Sequence, residues 1–436
     1  MVVPPAAIAP SSPMSLSSPP DPAAAAARKA RSAPPTTPWP ITACTLVTGL
    51  GRGLDATLEA LAAGRTGLAR RRFETAALDT WLGVVDEADE ATLPAPLAAF
   101  DCRNNRLAHL ALHSDGFAGA VGRASARYGA HRIGVFLGTS TSGILATEIA
   151  YRQRDAATGA LPAWLDYART HNTYSVARFV RTALKLTGPA QVVSTACSSS
   201  AKVFGTAARM LQAGLVDAAI VGGVDSLCMT TLYGFNALEL VSPEICRPWD
   251  AARHGLSLGE GAAFALLERE AHGEVLAHLL ACGESSDGHH MSAPHPEGAG
   301  AAIAMSEALA AASLGVGDIG YLNLHGTATP GNDAAEDRAV TSVFGAAAAT
   351  LACSSTKGYT GHTLGAAGGV EAAICLLALR HGLLPPTLNL REPDPALQLP
   401  VLREARRARP RFVASNSFGF GGSNACLVFG AAEAAR

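Results

Sequence analysis

The sequence is poor in charged residues and has no long apolar run. Charged side chains make up 16% of the 436 residues, against roughly a quarter in an average soluble protein. The net charge of −2 produces no strong field toward nucleic acid or an anionic membrane. No run of about 18 uninterrupted apolar residues is present, which argues against a membrane-spanning helix. We therefore expect a cytoplasmic protein that binds neither nucleic acid nor a membrane.

Several sequence signatures of other protein classes are absent. The nine cysteines include no C-x-x-C pair and no tight Cys/His cluster, so we expect free thiols in a reducing compartment and no metal. There is no G-x-x-x-x-G-K-[ST] loop, and residues 138–143 miss the G-x-S-x-G elbow by one position. The glycines of residues 49–53 do not have the dinucleotide-loop spacing. Nucleotide hydrolysis and a standard serine hydrolase both lose support, and we expect no cofactor.

The first 41 residues are rich in proline, alanine and serine and contain almost no large apolar side chains. Such a segment cannot bury enough surface to offset its ordering entropy, so residues 1–41 are predicted to be a disordered extension. Two alternatives remain open. The segment has few acidic residues and carries Arg28, Lys29 and Arg31, as a transit peptide does, and translation could instead start at Met14.

From residue 42 onward the sequence alternates short apolar runs with glycine-punctuated helical patterns, which is typical of α/β architecture. The apolar runs predict strands at residues 132–137, 191–194, 218–222, 262–267, 321–324 and 425–429. The helical patterns predict helices at residues 56–63, 199–213, 301–312, 333–344 and 366–380.

Residues 192–204 are the richest segment chemically. An apolar strand runs into small residues and then into an amphipathic helix, which places Cys197 at a strand-to-helix turn. The positive end of the helix dipole lowers the pKa of a thiol there from about 8.5 by roughly one unit or more, so it becomes a competent nucleophile. A cysteine in such a place is structural more often than catalytic when nothing else supports it.

Three further segments add chemistry. Residues 321–333 end a short apolar strand in His325, at the edge where α/β sheets open their clefts. Residues 354–371 offer Lys357 and His362 in a polar turn that leads into a Gly/Ala-rich helix. Residues 415–424 are glycine-rich, so their backbone can approach another group closely and donate N–H bonds to it. Either histidine alone would be an ordinary structural residue.

Taken together, the four segments resemble a known family. T-A-C-S-S-S, H-G-T-A-T-P, S-S-T-K-G-Y-T-G-H-T-L-G-A-A-G and S-N-S-F-G-F-G-G-S-N occur in the order found in β-ketoacyl-acyl carrier protein synthases of the elongating, Cys-His-His class. The resemblance covers residues 42–432. It implies a thiolase-like α/β fold with two similar αβαβα halves related by a pseudo-dyad, and a dimer formed through the first half. Residues 42–270 would carry the nucleophile, and residues 271–436 both catalytic histidines.

The resemblance also implies a reaction, the decarboxylative Claisen condensation of an acyl thioester with malonyl-acyl carrier protein. Cys197 would take the acyl chain from a carrier-protein thioester, with the oxyanion held by the backbone N–H groups of Cys197 and Phe420. Phe420 would also act as a gate between the acylation and condensation states. A malonyl group on the carrier protein would then lose CO₂, and His325 and His362 would stabilise the enolate that attacks the acyl group.

Family positions imply supporting roles for other residues. Lys357 would orient the region of His362 and pair with Glu336. The expected substrate contacts are Thr327, Thr329, Phe235 and Thr141, and the weaker candidates for carrier-protein contact are Arg103 and Arg106.

Some positions depart from the fatty-acid pattern. The serines after Cys197 and residues 331–333 resemble polyketide-type ketosynthases more closely, and Glu239 stands where fatty-acid members often place an arginine that meets the carrier protein. Acyl chain length, pathway and the choice between a homodimer and a heterodimer with a chain-length-factor-like subunit therefore stay open. The alternatives are a non-catalytic chain-length-factor-type subunit, which usually lacks the nucleophile, and a degradative thiolase that would use Cys426, a residue we expect in the core.

Overall fold

The computed structural model describes residues 37–434. Its strands are β1 (Trp39–Thr48), β2 (Gly51–Arg52), β3 (Ala69–Arg70), β4 (Trp81–Gly83), β5 (Ile133–Gly138), β6 (Ala190–Val193), β7 (Ala218–Asp225), β8 (Leu258–Gly259), β9 (Gly261–Glu268), β10 (Ala277–Ser286), β11 (Ile319–Leu324), β12 (Cys353–Ser355), β13 (Leu383–Leu384), β14 (Arg406–Arg407), β15 (Phe412–Gly419) and β16 (Ser423–Ala431). Its helices are α1 (Leu54–Ala62), α2 (Glu87–Glu90), α3 (Arg103–Leu112), α4 (Phe117–Tyr128), α5 (Ile144–Arg152), α6 (Ser175–Ala183), α7 (Ser199–Gln212), α8 (Met229–Ala237), α9 (Ala299–Ala312), α10 (Pro330–Phe344), α11 (Lys357–Thr360) and α12 (Ala367–His381).

The main sheet repeats one strand order twice. Its strands lie in the order β12-β11-β15-β16-β10-β1-β9-β7-β5-β6, and the short β2 pairs with β1. Each half contributes five strands, which can be numbered one to five in chain order. Read from the outer edge of the sheet toward its centre, both halves then have the order third, second, fourth, fifth, first. In both sets the first two neighbouring pairs are parallel and the next two are antiparallel. The halves join where β1 pairs with β10. The two similar halves predicted from the sequence are confirmed.

Helices form three layers around the two sheet halves. The central layer consists of α7 and α12, which pack on each other and on strands of both halves. The helices α3, α4 and α6 cover the outer face of the first half, and α9 and α10 cover that of the second. A side chain at Gly368 would collide with the backbone of Ala201, so the small residues at the start of α12 allow the two central helices to approach closely.

The apolar runs behave as expected for buried strands. All residues of β5 and β7 are buried, which explains why continuous apolar runs rather than alternating patterns identified them. One helical segment of the described residues, Leu364–His381, is long and apolar enough to cross a membrane, but 89% of it is buried in the protein. It is a core helix that packs on strands of both halves of the main sheet.

The predicted disordered extension ends too late. Most of residues 1–41 lie outside the described residues, but Trp39 and Ile41 belong to β1 and are only 5% and 0% exposed. Trp39 pairs with Leu279 of β10. The prediction was wrong for these last residues, because two large apolar side chains next to a strand are enough to extend it into a proline-rich segment.

Candidate active site

Cys197 lies between the end of β6 and the start of α7, as the sequence predicted. The residue before it, Ala196, has a positive φ of 51°, so the nucleophile sits on a strained turn of the kind that accumulates at functional sites. Its Sγ is 3.0 Å from Nε2 of His362. The Cys197 sulfur, one ring nitrogen of His325 and one ring nitrogen of His362 lie within 4.8 Å of one another. The fold thus brings together three residues that are far apart in the chain.

The pKa of Cys197 differs in direction from the sequence expectation. The thiol is almost fully buried, and this burial raises its pKa to about 12, although the nearby Lys357 charge acts in the opposite direction. The expected lowering rested on the helix dipole alone and did not include the cost of desolvating a thiolate. At rest the thiol therefore carries its proton, and its Sγ lies at hydrogen-bond distance from Nε2 of His362. Deprotonation has to accompany nucleophilic attack, and His362 is placed to accept the proton.

The two histidines come from the second half. His325 follows β11 directly, and the backbone of His362 is held by β8, since its N–H donates to Ser257 O at 2.8 Å and its carbonyl accepts from Gly259 N at 3.0 Å. Their rings are nearly perpendicular, with centroids 5.4 Å apart. Burial, assisted by the charge of Lys357, holds the pKa of both well below the usual 6.5. Both rings are thus neutral at physiological pH.

Lys357 pairs with a residue that the sequence analysis did not name. Its Nζ donates to Glu371 Oε1 at 2.5 Å, to the carbonyl of His325 and to His325 Nδ1 at 3.3 Å. The predicted partner, Glu336, is wrong. Lys357 acts on His362 through its charge, but its hydrogen bonds are made to His325 and Glu371. Because the ammonium donates to Nδ1, the ring proton of His325 belongs on Nε2. The one carboxylate in the apolar helix that follows His362 was the signal for Glu371.

Glu336 supports His325 in a different way. Its Oε1 accepts from the backbone N–H of His325 and its Oε2 from that of Gly326, both at 2.8 Å, and Asn416 donates to Oε1 at 3.0 Å. Burial raises the pKa of this carboxyl group to about 7. Glu336 therefore fixes the backbone on which His325 stands and does not act as the counter-ion of Lys357.

A cavity of about 170 Å³ leads to these three residues. Thr327 and Thr329 line it, as predicted, and their hydroxyl groups are hydrogen-bonded to each other at 2.9 Å. Phe235 and Phe420 also line it, with ring centroids 5.4 Å apart. The backbone N–H of Phe420 is hydrogen-bonded to the Cys197 thiol and stabilises negative charge there. The cavity lined by these side chains therefore reaches the sulfur.

Two predicted contacts are not available to a ligand. Thr141 is 1% exposed and donates its hydroxyl to Asp225, so it does not line the cavity. Arg103 is buried and donates to both carboxylate oxygens of Glu260, at 2.8 and 2.6 Å. Its predicted carrier-protein contact is wrong, because a partner 157 residues away in the chain holds its guanidinium inside. Arg106 pairs with Asp101 and keeps part of its side chain exposed.

Comparison with known proteins decides the family. Residues 105–273 match the beta-ketoacyl synthase N-terminal domain, and residues 276–391 match the beta-ketoacyl synthase C-terminal domain. This chain belongs to the β-ketoacyl synthase family. The interpretation drawn from the four sequence segments is confirmed, and with it the class of the ketosynthase as an acyltransferase.

Relatives lie in several biological settings. The mitochondrial 3-oxoacyl-[acyl-carrier-protein] synthase of Arabidopsis thaliana is 41% identical over 259 residues, which are 56% of the ketosynthase and 56% of that relative. Nodulation protein E of Rhizobium meliloti is 37% identical over 305 residues, which are 68% of the ketosynthase and 75% of that protein. The match thus spans little more than half of the first relative and three quarters of the second.

Solved structures confirm the fold. A chain of the complex between the ketosynthase ApeO and its chain length factor ApeC, from Xenorhabdus doucetiae, gives a TM-score of 0.81 at 39% identity, covering 91% of this ketosynthase and 98% of that chain. A beta-ketoacyl synthase from Burkholderia phymatum gives a TM-score of 0.81 at 31% identity, with coverage of 91% and 99%. The predicted ketosynthase fold therefore extends over nearly all of the described residues.

Proposed function

We propose that the ketosynthase condenses an acyl group held on Cys197 with a malonyl group delivered on an acyl carrier protein. The observation that carries this proposal is the 3.0 Å contact between Cys197 Sγ and His362 Nε2 at the end of a cavity. In the first half-reaction the sulfur attacks the thioester carbonyl while its proton passes to His362. Backbone N–H groups of Phe420 and Cys197 stabilise the oxyanion. The pantetheine thiolate leaves and takes up the proton.

In the second half-reaction the malonyl thioester loses CO₂ and becomes an enolate. Two neutral imidazoles face the place where its oxygen would lie, and the Lys357 contact leaves the Nε2 proton of His325 free to be donated there. Removing one such donor typically costs about 10²- to 10³-fold in rate. The enolate carbon then forms a bond to the acyl carbon, the bond to Sγ breaks, and the Cys197 thiolate that leaves takes up one proton from solvent.

No resident cofactor is required by this scheme, since the substrates arrive on the phosphopantetheine of the carrier protein. Thr327 and Thr329 lie where that arm would pass, and their hydroxyl groups can bond its amides. We propose a dimer of ketosynthase-fold subunits. The solved complexes of a ketosynthase with its chain length factor support a heterodimer as one form.

Intact-mass measurement tests the function directly. The purified ketosynthase is incubated with a panel of acyl-carrier thioesters, alone and with a co-expressed chain-length-factor-like partner, and then with malonyl-carrier protein. We expect an acyl adduct on Cys197 that is discharged to a product two carbons longer, as the condensation requires. Cys197→Ala is the matched control and should form no adduct, because it has no nucleophile at this position. Absence of an adduct with every donor and partner would instead favour a non-catalytic subunit.

A further inference from the structure

Asp225, the last residue of β7, is a buried carboxylate outside the catalytic set. Its Oδ1 accepts from the hydroxyl of Thr139 at 2.6 Å, from the amide of Ser140 at 2.8 Å, and from the amide and hydroxyl of Thr141, both at 2.9 Å. Its Oδ2 accepts from the hydroxyl of Ser140 and from Gly365 N at 2.5 Å. All of these donors are neutral, and together they replace the water that the charge has lost.

The turn that Asp225 binds, residues 139–142, touches the segment that carries His362. Gly365 lies three residues after that histidine, and a Cβ there would be 2.7 Å from both Asp225 Oδ2 and Ser140 N. Leu364, between them, has a positive φ of 52°. This segment is therefore held in a strained shape by close backbone contact with the turn.

The same turn also touches the segment that carries Cys197, since the backbone N–H of Thr139 donates to Val193 O at 3.2 Å. A side chain at Gly138, the residue before the turn, would collide with the backbone of Ser199 and Ser200 at the start of α7. The hydroxyl of Ser200 in turn accepts from Gly369 N at 2.9 Å, at the start of α12. One turn thus lies in contact with both segments that set the distance between the sulfur and His362.

We propose that Asp225 is a positioning residue that holds the His362 segment against the Cys197 segment through the turn at residues 139–142. The proposal rests on the proposed function for its meaning, since it concerns the geometry of acyl transfer. An ionised carboxylate is suited to the task, because it accepts from many donors at once, whereas an amide presents two protons to groups that are themselves donors. A misplacement of about 1 Å at a reacting centre costs roughly 10²-fold in rate.

The charge of Asp225 gives the test a second readout. It raises the pKa of the Cys197 thiol, although burial is the larger cause and Lys357 acts in the opposite direction. The other groups that act on the sulfur are Glu371, whose charge also raises the pKa, the backbone N–H of Phe420, which lowers it, and His362, at hydrogen-bond distance. Removing the Asp225 charge therefore lowers the pKa of the Cys197 thiol. Removing the hydrogen bonds of Asp225 instead changes the position of the sulfur relative to His362.

The experiment compares Asp225→Asn, Thr141→Val and a matched control, Asp250→Asn. Asp250 is an equally buried acceptor of backbone N–H bonds, to Ala252, Arg391 and Glu392, away from the turn. For Asp225→Asn we expect acylation of Cys197 at saturating donor to slow by about 10- to 100-fold, with the half-saturating donor concentration unchanged. Alkylation of the thiol by iodoacetamide should become faster at each pH below its pKa. Asp250→Asn should lower the melting temperature without either effect.

Thr141→Val removes one donor to Asp225 without changing charge, so it should slow acylation severalfold and leave the alkylation profile unchanged. The proposal is overturned if folded Asp225→Asn acylates at the wild-type rate, or if Asp250→Asn slows acylation equally. If Asp225→Asn does not fold, a wild-type acylation rate in Thr141→Val overturns it. Alkylation needs no acyl donor, so a chain that no donor acylates would refute the proposed function while the alkylation comparison still tests the charge of Asp225.

Discussion

The two halves of the ketosynthase share one strand order but carry different residues at the ends of equivalent strands. The third strand of the first half, β6, leads to Cys197, and its counterpart in the second half, β12, leads to Lys357 and His362. The second strands differ more: β11 leads to His325, whereas β5 leads to the hydroxyl-rich turn bound by Asp225. A repeated topology therefore brings equivalent strand ends together, and the proposed function assigns different parts of acyl transfer and decarboxylation to the residues at those ends.

The proposed function predicts that the largest loss of condensation activity comes from a substitution in the first half, at Cys197. Cys197→Ala removes the nucleophile, so condensation should fall by about 10⁴-fold or more, and no acyl adduct should appear by intact mass. The histidines of the second half remain, so the variant should still decarboxylate malonyl-carrier protein. Release of CO₂ from the variant measures this. Loss of decarboxylation together with acylation would break the proposed division between the halves.

The second prediction separates the two histidines. His325→Ala and His362→Ala each remove one donor to the enolate, so decarboxylation should fall by about 10²- to 10³-fold in both. Acylation should distinguish them, because only the ring of His362 contacts Sγ. We expect acyl-Cys197 to form at the wild-type rate in His325→Ala and more slowly in His362→Ala. Rapid-quench mass spectrometry gives both rates, and a slower acylation in His325→Ala than in His362→Ala would contradict the geometry.

The third prediction concerns the ion pair of the second half. Lys357 and Glu371 are 1% and 3% exposed, and breaking such a pair on one side typically costs about 3–5 kcal/mol. In a double-mutant cycle of Lys357→Met with Glu371→Gln, the free energies of unfolding should show a coupling of about 2 kcal/mol. The matched cycle with Glu336→Gln should show much less. Urea denaturation measures both couplings. Equal couplings for Glu371 and Glu336 would favour the Lys357–Glu336 pair that the sequence suggested.

Which of these features the sequence could predict depends on how local they are. Four segments in family order located Cys197, His325 and His362, and continuous apolar runs located buried strands such as β5 and β7. The partners of Lys357 and Arg103 were missed because they depend on how distant segments pack. Glu371 reaches Lys357 through the orientation of α12, and Glu260 reaches Arg103 from the position between β8 and β9. The burial that raises the pKa of Cys197 is likewise a property of the whole fold.

The fourth prediction decides whether the pKa of the Cys197 thiol is raised by burial or lowered by the helix dipole. A pKa near 12 leaves Cys197 protonated at neutral pH, so its alkylation rate should keep rising, about tenfold per pH unit, beyond the ordinary thiol value of about 8.5. A thiol with a lowered pKa would instead reach a plateau below that value. Iodoacetamide labelling of Cys197, followed by peptide mass spectrometry between about pH 6 and 10, distinguishes them. Buried cysteines elsewhere in the fold, such as Cys44 and Cys102, serve as internal controls because burial raises their pKa as well.

The smallest expected effect is at the surface of the first half, where the carrier protein would dock. Arg106 is partly exposed and paired with Asp101, and one such charge contributes about 0.2–1 kcal/mol to an interaction. Arg106→Ala should therefore raise the KM for acyl- and malonyl-carrier protein by a small factor and leave kcat unchanged, since both substrates arrive on the same carrier. Arg123→Ala, on the neighbouring helix α4, is the matched control and should leave KM unchanged. An equal rise in both variants would mean that general charge, rather than a docking site at Arg106, attracts the acidic carrier.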